Sequence, residues 1–304
     1  MEGTMEKLSL GLVGGGFIGS AFARVFNQYT DVKVFDLLPE KRTHSLQEVL
    51  EQDVLIIAVN TPMNKDGSAD ITAIRKALEV VRNNTVFWKP VIVKSTIPPD
   101  LMGELIEEFQ EDLFLVFSPE FLTERTAEYD LQQSNRFIFG VSDDNVSNES
   151  VQKQMIDYLF STRFPAVPRY WVSYRTASLV KYFTNGYFAN KISLFNEYKQ
   201  IADEFRVDWH EVISLTMLDP RIGRSHFQVP GHDGKAGFGG HCFLKDVNAL
   251  RYFAKARNVL TTVIDAIWRK NVEVRGSKNL SEELNNMVGR ASKEKFTEND
   301  ILDL

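Results

Sequence analysis

The chain has 304 residues, which at roughly 150 residues per domain makes two domains the first expectation. It is 43% hydrophobic and 25% charged, an ordinary globular balance that excludes wholesale disorder, collagen-like repeats and coiled-coil rods. Its 41 acidic residues against 35 basic ones give a formal charge of -6, and with no long Lys/Arg run no nucleic-acid partner is expected.

Met1–Leu8 lacks the apolar stretch of a signal peptide. The longest strongly apolar run, Val54–Val59, falls far short of the roughly 20 residues that span a bilayer, so a cytoplasmic chain without a membrane partner is expected. The first apolar run, Leu8–Val13, leads into Gly14, Gly16 and Gly19, a G-x-G-x-x-G set between a strand and the mouth of a helix. Such glycines allow a tight turn, close backbone approach to a pyrophosphate and close helix-strand packing. A second strand, Val32–Phe35, ends at Asp36, where an acid would bind the adenosine ribose hydroxyls and favour NAD over NADP; Lys41 and Arg42 nearby pull the other way.

Further strands are expected at Val54–Val59, Val91–Lys94, Leu113–Phe117, Phe137–Val141 and Tyr170–Ser173, with helices between them such as Ile74–Val81 and Leu101–Phe109. Short β-branched runs alternating with helices read as an α/β fold, a doubly wound parallel sheet of the Rossmann-like kind. Ser118–Glu124 follows the fifth run, beyond the strand ends where such sheets gather ligands. Glu120 and Glu124 there suit either acid-base work or the first turn of a helix.

The pattern changes near Arg175. Apolar residues recur at helical spacing to Phe205, a helix of roughly 45 Å that suits a spine or a dimer interface. Lys181 and Asn185 share one face of it and could hold an oxyanion, although a solvated polar stripe is the commoner meaning of such a pair. Helices are expected at Trp209–Thr216 and Val247–Ala256, with a long functional loop, Asp219–Gly240, between them. That loop delivers Cys242, the only cysteine, to the start of a helix with Asp246 one turn later. A helix N-terminus favours the thiolate nucleophile, whereas a lone cysteine is more often a small core residue. The five histidines show no ligand spacing, so no metal is expected. The expected organisation is residues 1–174 as a cofactor domain, 175–275 as a central helix with an all-helical substrate and dimerisation domain, and 276–304 as a tail with one docked helix and a loose end.

Taken in order, the fingerprint Gly14–Gly19, Thr61-Pro62 with Asp66–Asp70, Ser95–Pro99, Ser118–Glu124, Lys181 with Asn185, Asn196-Glu197, Arg221–Gly223 and Gly237–Asp246 resemble the UDP-glucose/GDP-mannose dehydrogenase family, and within it the members acting on UDP-glucose. The resemblance implies a four-electron oxidation of a sugar C6 alcohol to a carboxylate, with two NAD reduced in succession and a thioester on Cys242. It implies catalytic roles for Cys242, Lys181, Asn185, Glu120, Asp246 and Thr96. It implies cofactor contacts from Gly14, Gly16, Phe17, Ile18, Asp36, Lys41, Thr61, Thr96, Glu124 and Lys245. Sugar-nucleotide contacts would come from Glu120, Phe121, Leu122, Glu124, Lys181, Asn185 and Gly239, with Arg221 reaching the substrate of a second subunit in a homodimer built on the central helix.

Three departures accompany the resemblance. The chain is expected to lack most of the C-terminal UDP-binding domain of three-domain members, Asp36–Val54 is compressed, and Phe227–Lys235 lengthens the loop before the cysteine. GDP-mannose or UDP-N-acetylmannosamine remain alternative substrates. A two-electron hydroxyacid dehydrogenase and a truncated homologue that binds without turnover are the other readings.

Overall fold

Six runs rich in Val, Ile, Leu and Phe become strands because their side chains alternate between two covered faces, and the less buried Arg169–Ser173 joins them at one edge of the sheet. The structure, a computed structural model, describes residues 7–288 and 295–304. It divides into two units: the chain up to Thr61 with Asp70–Lys181, and Pro62–Ala69 with Tyr182–Leu304.

In the first unit the strands are β1 (Leu10–Val13), β2 (Val32–Phe35), β3 (Val54–Ile57), β4 (Lys89–Val93), β5 (Leu113–Phe117), β6 (Phe137–Val141) and β7 (Arg169–Ser173). They form one sheet in the order β2-β1-β3-β4-β5-β6-β7, the doubly wound arrangement that the alternating runs predict. All pairings are parallel except β5 with β6, which meet antiparallel at Phe117 and Gly140. The chain between those two strands forms the Ser118–Glu124 loop and a six-residue helix without recrossing the sheet, so β6 runs back against β5.

Helices α1 (Phe17–Phe26), α2 (Leu46–Leu50), α3 (Thr72–Asn84), α4 (Pro99–Phe109), α5 (Ala127–Gln132), α6 (Asp143–Val146) and α7 (Val151–Arg163) follow the strands, and α8 (Tyr174–Glu204) begins in this unit and continues into the second. The compressed segment after β2 still holds α2, five residues closed by a Ser45–Glu48 capping box. On one face of the sheet Leu10, Leu12, Ile56 and Phe139 pack with Phe22 and Phe26 of α1 and Phe160 of α7. On the other, Leu55, Ile57, Val93 and Leu115 pack with Leu78 of α3, Leu105 of α4 and Ala177 of α8. Each such side chain contributes about 1.5–3 kcal/mol on burial.

The second unit is helical: α8 continues to Glu204, followed by α9 (Trp209–Thr216), α10 (Gly240–Ala256), α11 (Thr262–Arg275), α12 (Ser277–Val288) and α13 (Glu298–Asp303). One core joins Phe195, Trp209, Ile213, Met217 and Val229; the other joins Ala189, Phe238, Leu244, Val247, Ile267 and Trp268. The loose end expected after residue 275 is corrected in part. Leu280 and Leu284 of α12 and Phe296 and Ile301 near the C-terminus enter the second core, and Asn285 brackets the Phe296 backbone at 2.7 and 2.9 Å. The side chains of Met287 and Val288, expected on the same stripe, lie outside the described residues.

Candidate active site

The glycine turn fits a dinucleotide. Gly14 has φ +107°, a left-handed conformation that favours glycine, and a Cβ there would collide with the Ala58 carbonyl oxygen. A Cβ on Gly19 would collide with the Gly14 carbonyl, so α1 packs closer than any side chain permits. Nothing lies within 4 Å of where a Cβ of Gly16 would sit, and Gly16 is the N-cap of α1, with no side chain to cap it. That is the open helix N-terminus a pyrophosphate takes. Phe17 and Ile18 open the helix half-buried, and Asp36, just past β2, accepts from the Gly15 N–H at 2.7 Å and the Leu38 N–H at 2.8 Å. The backbone of Lys41 lies against Gly15. Thr61 and Thr96 are buried in this unit, within the segments that follow β3 and β4.

Also in the first unit, Glu120 and Lys181 form a buried pair. Lys181 Nζ donates to the Glu120 carbonyl oxygen at 2.6 Å and faces its carboxylate at 3.4 Å, with the two side chains 3% and 4% exposed. The carboxylate also accepts from the Leu122 N–H at 2.6 Å. The solvated-stripe reading of Lys181 is therefore overturned, because the loop after β5 covers it. Lys181 lies 5.5 Å from the ring centroid of half-buried Phe121, and Arg136 lies 4.5 Å from it. A cleft of about 180 Å³ runs past Lys94, Glu120, Phe121, Leu122 and Arg136. Glu124 is exposed, in a short 3-10 turn rather than beside Glu120 in a helix.

In the second unit Asn185 is buried too, its amide donating to Asp246 Oδ2 at 2.6 Å, while Lys245 Nζ pairs with Asp246 Oδ1 at 2.5 Å. Asp246 is 1% exposed, so these bonds replace its hydration. Cys242 is half-buried in the first turn of α10, one turn before Asp246, with Gly239 as the N-cap. Arg221 is 87% exposed and held by Asp219 at 2.6 Å. Among the described residues no three His, Cys, Asp or Glu side chains gather to hold a metal ion, and no helix is long and apolar enough to cross a membrane.

Residues 36–160 match the NAD-binding domain, and residues 175–273 the central domain, of the UDP-glucose/GDP-mannose dehydrogenase family. The chain belongs to that family. It is 34% identical over 206 residues to a UDP-glucose 6-dehydrogenase of Bacillus subtilis, covering 66% of this chain and 44% of that one. It is 27% identical over 297 residues to a UDP-glucose 6-dehydrogenase of Streptococcus pneumoniae, covering 87% of this chain and 73% of that one. Among solved structures it is similar to a UDP-glucose dehydrogenase from Pyrobaculum islandicum, with TM-score 0.77 and 28% identity over 93% of this chain and 72% of that one. The chain spans about half the length of several curated Bacillus subtilis relatives it matches. Family membership gives it an NAD-binding domain and the fold that its strand pattern predicts.

One residue of this family member's cluster is not among the sequence candidates. Lys94, the residue after β4, is 2% exposed, donates to Ser118 Oγ at 2.9 Å and sits over the Phe22 ring at 4.8 Å. Its only sequence signal is a charge ending an apolar run. Burial pushes its pKa down to about 7; Glu120 opposes that shift and Lys181 adds to it. Between that value and the ordinary 10.5, the unfolded chain holds a proton that the folded chain lacks, so this group's contribution to stability rises with pH. Wild type should therefore gain on Lys94→Met by about 3 kcal/mol between pH 7 and 9.5, as read by urea denaturation. Parallel stability curves would show that Lys94 stays charged in the fold.

Proposed function

We propose that this chain is a nucleotide-sugar 6-dehydrogenase that converts UDP-glucose to UDP-glucuronate. The observation that carries the reading is the lone thiol in the first turn of α10, followed one turn later by a buried Asp246 bonded to Asn185. A two-electron alcohol oxidation has no use for that thiol; a four-electron one does, because it splits aldehyde oxidation into covalent stages.

NAD, when bound, supplies the hydride acceptor for both oxidations. In the first, the C6 alcohol gives up a hydride, and Asp246 takes the hydroxyl proton. Lys181 and Asn185, four residues apart on α8, hold the charge on oxygen. The Cys242 thiolate, favoured by the helix N-terminus, then adds to the aldehyde carbon, and loss of a second hydride leaves a thioester. Water adds to the thioester carbonyl, Glu120 accepts its proton, and the thiolate departs as the carboxylate forms. Thr96 and Glu124 orient water and cofactor, and Lys41, Thr61 and Lys245 line the cofactor. Phe121, Leu122 and Gly239 border the sugar nucleotide.

A homodimer through α8 belongs to the same reading. Phe183, Tyr187, Leu194, Tyr198, Ile201 and Phe205 are exposed and recur three, four or seven residues apart, as a helix seam requires. Exposed Arg221 would serve the partner's substrate.

The test is a panel of UDP-glucose, GDP-mannose and UDP-N-acetylmannosamine with NAD, run on material whose mass is measured by light scattering. The expected result is two NADH per UDP-glucose from a particle of twice 34.7 kDa. One NADH per sugar would mark a two-electron dehydrogenase, and a folded dimer that reduces NAD with none of them would mark a binding homologue.

A further inference from the structure

The loop that leads into Cys242 is held by side chains from two helices. Asn271 of α11 is fully buried; its Oδ1 accepts from the Phe238 N–H at 2.6 Å and its Nδ2 donates to the Phe238 carbonyl at 2.9 Å. One carboxamide thus satisfies both polar groups of one residue, as a neighbouring strand would. On the residue before, the Gly237 N–H donates to Asn196 Oδ1 of α8 at 3.0 Å, and Asn196 is itself anchored by donating to the Ile192 carbonyl at 2.8 Å. One residue earlier, Arg275 donates to the Ala236 carbonyl at 3.1 Å while Asp233 and Glu283 hold its guanidinium at 2.5 and 2.8 Å. Three consecutive residues are therefore each tied to a buried side chain.

The fit leaves no slack. Gly237 has φ +71°, and a Cβ there would collide with Asn271 Oδ1; a Cβ on Gly239 would collide with Arg275 and Glu283. Phe238 itself is 2% exposed and packs with Phe243 and Trp268. α10 starts two residues after Phe238, and Cys242 is its third residue. Where the Phe238 peptide is held decides where that first turn begins, and so where the sulfur sits relative to the free N–H groups of the turn.

We propose that Asn271 is a positioning residue for Cys242, its carboxamide fixing the Phe238 peptide and with it the first turn of α10. The inference rests on the reading of Cys242 as nucleophile, yet it can be tested apart from turnover because the chain has a single cysteine. Iodoacetamide therefore reports on Cys242 alone: the thiolate displaces iodide, and the rate against pH follows thiolate formation.

In Asn271→Ala the midpoint of that profile should move up by about half a pH unit, as a thiolate drifting off a helix N-terminus would show. With the sugar nucleotide found by the panel, kcat should fall about a hundredfold while KM for NAD holds. A purely structural role would lower the melting temperature and leave the alkylation profile in place, which would overturn the proposal. If the alanine variant does not fold, hydrogen exchange on the wild-type chain decides. The peptide spanning residues 236–242 should be strongly protected, and exchange at the rate of free chain would overturn the proposal. Should no sugar nucleotide be oxidised, the proposed function fails, while alkylation and exchange still judge Asn271.

Discussion

Replacing Cys242 with serine should leave the chain folded and able to bind NAD while cutting release of the acid by about a thousandfold or more. The fold has little reason to notice the change. Cys242 is half-buried and outside any disulfide, serine is nearly isosteric, and the first turn of a helix accepts a hydroxyl readily. Stability should stay within about 0.5 kcal/mol of wild type. The glycine turn and the Asp36 carboxylate that suit the dinucleotide are untouched by the change, so NAD affinity should hold within about twofold. The chemistry has every reason to notice. An alcohol is a far weaker nucleophile than a thiolate near neutral pH, and it cannot be regenerated from a thioester that never forms. Acid-quenched wild type, mixed with sugar nucleotide and NAD, should carry an acyl mass on Cys242 that hydroxylamine removes. The serine chain should carry none. Full turnover by the serine chain would remove the covalent mechanism, and unfolding would make Cys242 a core residue.

The strands are legible from sequence because they are covered on both faces. Leu113–Phe117 and Phe137–Val141 have no polar position to blur them, and their observed bounds match the runs. β4 begins earlier than Val91 because Lys89 and Pro90 are buried in the sheet, and neither residue type announces a covered strand. α7 escapes because its apolar stripe is narrow and interrupted by a buried Lys153.

The site divides in the same way. The glycine fingerprint and the Cys242 turn are local patterns, so spacing alone exposes them. Whether Lys181 and Asn185 face water depends on what folds over α8, and spacing predicts the wrong answer until Glu120 and Asp246 are seen beside them. Lys94 and Asn271 are silent because their partners lie 24 and 33 residues away in the chain. No window of sequence contains both ends of those bonds.

The buried Lys181–Glu120 pair yields the second large effect. Lys181→Met should lower kcat by about 100- to 1,000-fold, the usual loss when one donor to a developing oxyanion is removed. It should also destabilise the fold by about 3 kcal/mol, because Glu120 is left as a buried carboxylate without the ammonium 3.4 Å away. Lys94 nearby softens that loss, since removing the Lys181 charge makes a proton on Lys94 easier to hold. The two effects separate in a double variant. Lys181→Met with Glu120→Gln replaces the pair by two uncharged side chains of similar size, and the amide can still accept from the Leu122 N–H. Urea denaturation should then recover most of the lost stability, while turnover stays as low as in the single variant or falls further. Stability losses that simply add in the double variant would mean that the pair is uncoupled, and the electrostatic account of this cluster would fall. Recovered turnover would instead mean that Lys181 serves the fold alone, leaving the oxyanion to other donors.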